Sequence, residues 1–190
     1  MRRISKTVRY ILVVLLFSMS LPLLQARADV APPEQAPGSN IEPARHLRMA
    51  LRALESRYGR LQLSSVYRNP AEGFVGDDFL NLVIGFDTAE HPETIIAELE
   101  RLHRVAGRQR GANAFGPRTL DLDLLLYGSD VDPRLRLPRP DILRYGFVLG
   151  PLAEIAPGLR HPESGLKMAD LWARFDRERH PMQRLPLSVI

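Results

Sequence analysis

Two aspartates set two positions apart, Asp121 and Asp123, are the residues best placed to do chemistry in this chain of 190 residues. They lie in TLDLDLLLY, residues 119–127, whose apolar content predicts a strand. Side chains at i and i+2 leave the same face of a strand, so both carboxylates point one way while Leu120, Leu122 and Leu124 enter a core. At ~3.3 Å rise per residue, their Cα atoms stand about 7 Å apart. Magnesium prefers oxygen ligands and commonly takes one or two carboxylates together with phosphate oxygens, so the pair suits cations that also hold a polyphosphate. Alone the pattern is weak, because any solvent-facing sheet alternates polar and apolar residues. What sharpens it is Arg108, Arg110 and Arg118 in the glycine-containing stretch just before. Guanidinium groups grip phosphate oxygens in bidentate fashion, and a flexible loop lets them close over a substrate.

The elements that must position these residues follow from periodicity. Leu47, Leu51, Leu54 and Tyr58 form one stripe, with Pro43 at the start and Gly59 past the end, predicting a helix over 43–58. Residues 61–68 alternate as a strand does, 69–78 read as a glycine- and proline-containing loop, and 79–87 form an apolar run suited to a buried strand. A second helix is predicted over 92–106, where Ile95, Ile96, Leu99, Leu102 and Ala106 recur at helical spacing before Gly107. Beyond 127 the chain is rich in proline until a short helix at 167–175. Helix, strand, strand, helix, strand predicts an α+β sandwich with helices on one face of a mainly antiparallel sheet.

The ends of the chain read differently. The formal charge is +4, but residues 1–28 hold five basic residues and no acid, which leaves 21 basic against 22 acidic residues in the remainder. A near-neutral body argues against a nucleic-acid-binding module, which needs a basic face. The basic start MRRISKTVR, the apolar run 10–24 and Ala26-Arg27-Ala28 give residues 1–28 the three-part layout of a secretory signal or short membrane anchor, with membrane contact expected through 10–24 on that reading. The other reading is that this run joins the domain as a strand. Residues 29–37, with three prolines in nine, read as a linker, 38–176 as the domain and 177–190 as a tail. There is no cysteine, so disulfides and a thiolate nucleophile are excluded.

GPRTLDLDLLLYG at 116–128 resembles the signature of the 6-hydroxymethyl-7,8-dihydropterin pyrophosphokinases. GSN at 38–40, SSVYRNPAEG at 64–73, DFLN at 78–81, GRQR at 107–110, FVLGPLAEIAP at 147–157 and HP at 161–162 fall in that family's order. The resemblance implies a ferredoxin-like α+β fold and an ATP-dependent diphosphotransferase of folate biosynthesis, using two magnesium ions and releasing AMP. It implies Asp121 and Asp123 as metal ligands, Arg108, Arg110, Arg118, Leu124 and Arg139 as the ATP-binding set, and Arg108 and Arg118 as catalytic together with the aspartates. For the pterin it implies Asn69, Ala71, Glu72 and Asn81, with Phe79 and Phe147 as aromatic walls. A monomer or weak oligomer is expected. Folate chemistry points to the cytoplasm, whereas the N-terminal segment points to export or anchoring. Departures from the commoner pattern are His103 for a glutamate, Phe115 for tryptophan, Tyr145 for arginine and Arg139 for a histidine, the last as in one branch of the family. An apolar strand running into GSN is also missing from its usual place. His103 reads at least as readily as a partly exposed surface position as a functional one, and a catalytically impaired exported or membrane-tethered paralogue that binds pterin or nucleotide is the second functional reading.

Overall fold

The computed structural model describes residues 8–18, 41–70, 78–106 and 120–189. In chain order the elements are β1 (Val8–Ser18), α1 (Ile41–Tyr58), β2 (Gln62–Leu63), β3 (Val66–Asn69), β4 (Phe79–Thr88), α2 (Pro92–Val105) and β5 (Asp121–Tyr127). They are followed by α3 (Asp141–Arg144), α4 (Gly146–Ile155), α5 (Met168–Ala173), β6 (Gln183–Leu185) and a 3₁₀ turn at Leu187–Val189.

The sheet order is β5-β1-β4-β3-β6, with β2 also paired to β4, and every pairing is antiparallel. Helix α1 connects β1 to the β2/β3 edge and α2 connects β4 to β5, each connection skipping one strand. That interleaving of two β-α-β units is the ferredoxin-like arrangement. Buried Ser64 bridges the short break between β2 and β3: its N–H donates to the Val83 carbonyl at 3.0 Å, and its Oγ accepts from the Val83 N–H at 2.9 Å.

Strand β1 follows the second reading of the N-terminal apolar run, that it joins the domain as a strand, and corrects the leader expectation for residues 8–18. Val8–Ser18 lies between β4 and β5, with Leu16 opposite both Asn81 and Asp121. The composition misleads because an inner strand of a sheet covered on both faces is a continuous apolar run, as the middle of a signal segment is. Among the described residues no helix is long and apolar enough to cross a membrane. The linker 29–37 lies outside the described residues. Part of the predicted tail is also sheet, since β6 pairs with the outer edge of β3.

Helices cover both faces rather than one. On the first face Leu47, Ala50 and Leu54 of α1 and Ile95, Leu99 and Leu102 of α2 pack against Leu80, Leu82, Ile84 and Phe86 of β4 and Leu122 and Leu124 of β5. On the second, Val148, Leu149, Leu152 and Ala153 of α4 pack against Val83 and Leu125. Each fully buried leucine-sized side chain contributes about 2 kcal/mol of hydrophobic stabilisation. The sequence hides α4 because Pro151 sits inside it and apolar residues surround it. Gly150 lets the C-terminal segment close over this helix: a Cβ there would stand 2.5 Å from Met182 Cε and 3.1 Å from the Trp172 ring.

Candidate active site

The polar residues gather on the α4 face, at one end of the sheet. The alternation along each strand puts them there. On β4, Leu80 and Leu82 join the α1/α2 core, so Phe79 and Asn81 share the opposite face with Val83. On β5, Leu122 and Leu124 join the same α1/α2 core, which leaves Asp121 and Asp123 on the α4 face with Leu125. Leu125 is an extra residue in the ladder, since Leu12 faces Leu126 while Val13 faces Leu124. This bulge lets both Leu125 and Leu126 pack toward α4. On β3, Asn69 lies opposite Phe79 and Tyr67 opposite Asn81. Strand β1 sets the rest of the register: Leu16 separates Asn81 from Asp121, and Val14 separates Val83 from Asp123.

Asn69, Asn81 and Asp121 are buried, whereas Phe79, Asp123, Arg139 and Phe147 are half-buried. Asn81 Nδ2 donates to Asn69 Oδ1, and Asn69 Nδ2 donates to the Pro70 carbonyl at 2.8 Å. Asn81 is 1% exposed, yet among the described residues its Oδ1 has no hydrogen-bond partner. A buried amide oxygen left in that state is costly unless something else supplies a donor. Phe147, in the first turn of α4, stacks on Tyr145 with ring centroids 5.1 Å apart and planes 16° apart.

The two aspartates differ in their surroundings. Asp123 accepts from Arg139 at 2.9 Å, and Arg139 also donates to Asp141 at 2.9 Å. Asp121 Oδ1 lies 3.6 Å from His103 Nε2, which accepts the Leu122 N–H at 2.6 Å. An imidazole accepting at Nε2 carries its proton on Nδ1, here 4.0 Å from Glu100. Among the described residues no group of three or more acidic, histidine or cysteine side chains could hold a metal alone. Two carboxylates on one strand face do fit magnesium, which completes its shell with water and phosphate oxygens.

The structure therefore brings together Asn69, Phe79, Asn81, Asp121, Asp123 and Arg139 on one face. It does not bring the Leu124 side chain there, which is 5% exposed in the core on the opposite face. Ala71, Glu72, Arg108, Arg110, Phe115 and Arg118 lie outside the described residues. His103 is not at the surface: it is buried at 3% and held against β5 by the Leu122 N–H. The signal was present, since His103 stands four residues after Leu99 and three before Ala106 on the buried stripe of α2. Asp141 carried no sequence signal, because its link to Asp123 runs through Arg139 from a separate segment.

A family model described as 7,8-dihydro-6-hydroxymethylpterin-pyrophosphokinase matches residues 36–157. The chain is 37% identical over 133 residues to the 2-amino-4-hydroxy-6-hydroxymethyldihydropteridine pyrophosphokinase of Haemophilus influenzae, covering 67% of this chain and 82% of that protein. It is 36% identical over 155 residues to the protein of that name from Pseudomonas aeruginosa, covering 78% and 93%. To the one from Aquifex aeolicus it is 31% identical over 129 residues, covering 66% and 80%. With its interleaved antiparallel sheet, its paired strand aspartates and a family match over most of its length, the chain belongs to the 7,8-dihydro-6-hydroxymethylpterin-pyrophosphokinase family.

Proposed function

We propose that this pyrophosphokinase transfers the β,γ-diphosphoryl group of ATP to the hydroxymethyl oxygen of 6-hydroxymethyl-7,8-dihydropterin, in folate biosynthesis, and does so on the α4 face of its sheet. The pterin hydroxyl attacks the β-phosphorus, the bond from that phosphorus to the α,β-bridging oxygen breaks, and AMP leaves. The hydroxyl proton is released. Such chemistry rests on positioning and charge neutralisation and needs no nucleophilic side chain.

The observation that carries this reading is the row formed across β1 by Asn81 and Asp121, in which a buried amide oxygen without a partner among the described residues stands on the same face as two carboxylates. Asn81 Oδ1 suits an N–H donor on the edge of a flat polar heterocycle, and Asn69 Oδ1 holds the amide in orientation by accepting from Asn81 Nδ2. Phe79 and Phe147 suit its ring faces. Asp121 and Asp123 would hold magnesium, which when bound neutralises triphosphate charge and orients the phosphates. Arg108, Arg110 and Arg118 would supply the protein's cations to the same triphosphate, and Ala71 and Glu72 the backbone beside the pterin edge.

The test is direct. Protein incubated with ATP, magnesium and 6-hydroxymethyl-7,8-dihydropterin should release AMP in step with pterin diphosphate, and omission of either magnesium or pterin should stop it. AMP release that is indifferent to the pterin would overturn the acceptor.

A further inference from the structure

The segment between β5 and α4 places a second acid beside the first. Arg139 is fixed through its backbone, whose N–H donates to the Leu125 carbonyl of β5 at 2.8 Å, two residues from Asp123. Its neighbours on both sides are anchored in the core, Leu137 at 2% and Ile142 at 0% exposure. From that mount the guanidinium donates by NH2 to Asp123 Oδ2 and by Nε to Asp141 Oδ2, each at 2.9 Å. All three side chains are about a fifth to a third exposed, so the charges are partly withdrawn from water.

We propose that Asp141 is a positioning and charge-balancing residue: it holds the Arg139 guanidinium against Asp123 and offsets its charge, so that Asp123 is oriented by the guanidinium and still accepts a divalent cation. The proposal rests on the reading of Asp123 as a magnesium ligand. Arg139 alone would fix the carboxylate at the expense of repelling the cation, whereas Asp123, Arg139 and Asp141 together carry one net negative charge. Neutralising Asp141 leaves the trio neutral, and neutralising Arg139 leaves it doubly negative. Opposite effects on cation affinity follow. A brace that acted through packing alone would weaken binding in both variants.

The experiment is titration of the full chain with Mn2+ followed by electron paramagnetic resonance of the free ion, with and without α,β-methylene-ATP. Asp141→Asn should weaken Mn2+ binding about three- to tenfold, and Arg139→Gln should strengthen binding without nucleotide by a similar factor. The double variant Asp141→Asn/Arg139→Gln, which restores the single negative charge, should return near the wild-type value. Turnover should fall in Arg139→Gln despite the tighter cation, because Asp123 loses its orienting partner. Shifts in the same direction for the two single variants, or none, would overturn the proposal while Asp123→Asn still abolished Mn2+ binding. Unaltered binding in Asp123→Asn would instead sink the metal assignment beneath it.

Discussion

The α4 face of the sheet carries two polar clusters, and they treat hydrogen bonds in opposite ways. At Glu154 both carboxylate oxygens are used: they accept from the Ser65 N–H at 3.1 Å, Ser65 Oγ at 2.8 Å, Tyr67 OH at 2.9 Å and Arg184 at 2.7 Å. This clasp ties α4 to β3 and to the C-terminal strand β6. Burial alone would raise the Glu154 carboxyl, but the bonds from Ser65, Tyr67 and Arg184 outweigh it and hold the group below its ordinary range. Tyr67, partly buried and donating to Glu154, is pushed up to about 12. Opposite Tyr67 on the next strand, Asn81 is more deeply buried and its Oδ1 has no partner among the described residues. The Glu154 cluster completes its own bonds, whereas the cluster proposed to bind the pterin leaves an acceptor unmet among the described residues. An unmet buried polar group costs about 1–3 kcal/mol, which a donor on the proposed ligand would recover.

The largest effect should come from removing the strand that joins β4 to β5. Deleting residues 1–18 takes β1 from between β4 and β5 and separates Asn81 from Asp121. The truncated chain should be insoluble or lack a cooperative melt, and a soluble, cooperatively melting product would contradict the central place given to β1. Next, Asp121→Asn and Asp123→Asn should each lower kcat/KM by roughly 10²–10³ or more, the scale of losing a preorganised charge interaction. Melting temperature should move little in Asp123→Asn, because the Asp123 side chain is a third exposed. Asn81→Ala should raise the pterin KM about tenfold with a smaller change in kcat, because it removes a ground-state acceptor. An equal fall in kcat would move Asn81 from binding to catalysis.

The closed cluster should answer in stability rather than turnover. Glu154→Gln should cost about 1–2 kcal/mol, roughly 2–6 °C in melting temperature, and Tyr67→Phe about 0.5–1 kcal/mol, both with near-normal kcat. The pH dependence has a definite sign. A carboxyl depressed in the folded state stabilises fully above its unfolded value near 4.3, and that contribution is lost as pH falls through the lower folded value. Glu98, held down chiefly by Arg101, behaves the same way. Denaturation melts should therefore show acid sensitivity below about pH 4 that Glu154→Gln reduces.

Much of this was legible locally. The stripe Ile95, Leu99, Leu102 gave α2, the proline and glycine at 43 and 59 bounded α1 to within two residues, and alternation placed Asp121 and Asp123 on one face. Features set by long-range pairing were hidden. β1 is apolar on both sides, which matches an export signal as well as an inner strand. β6 is three residues long, and only its pairing with Val66, Tyr67 and Arg68 makes it a strand. The bulge at Leu125 is invisible in LLLY, where every residue is apolar. The link from Asp141 through Arg139 to Asp123 depends on a turn that brings Arg139 back to the Leu125 carbonyl. The one local miss was His103, whose helical spacing put it on the buried stripe while its polarity suggested the surface.

The measurement that bears most directly on the central claim is AMP release by the purified chain, with magnesium, ATP and 6-hydroxymethyl-7,8-dihydropterin, compared with the Asp123→Asn variant under the same conditions. The wild type should give stoichiometric AMP and pterin diphosphate, and the variant should lose about two orders of magnitude or more. A folded wild-type protein that binds both substrates but releases no AMP, or a variant that turns over at the wild-type rate, would contradict that claim.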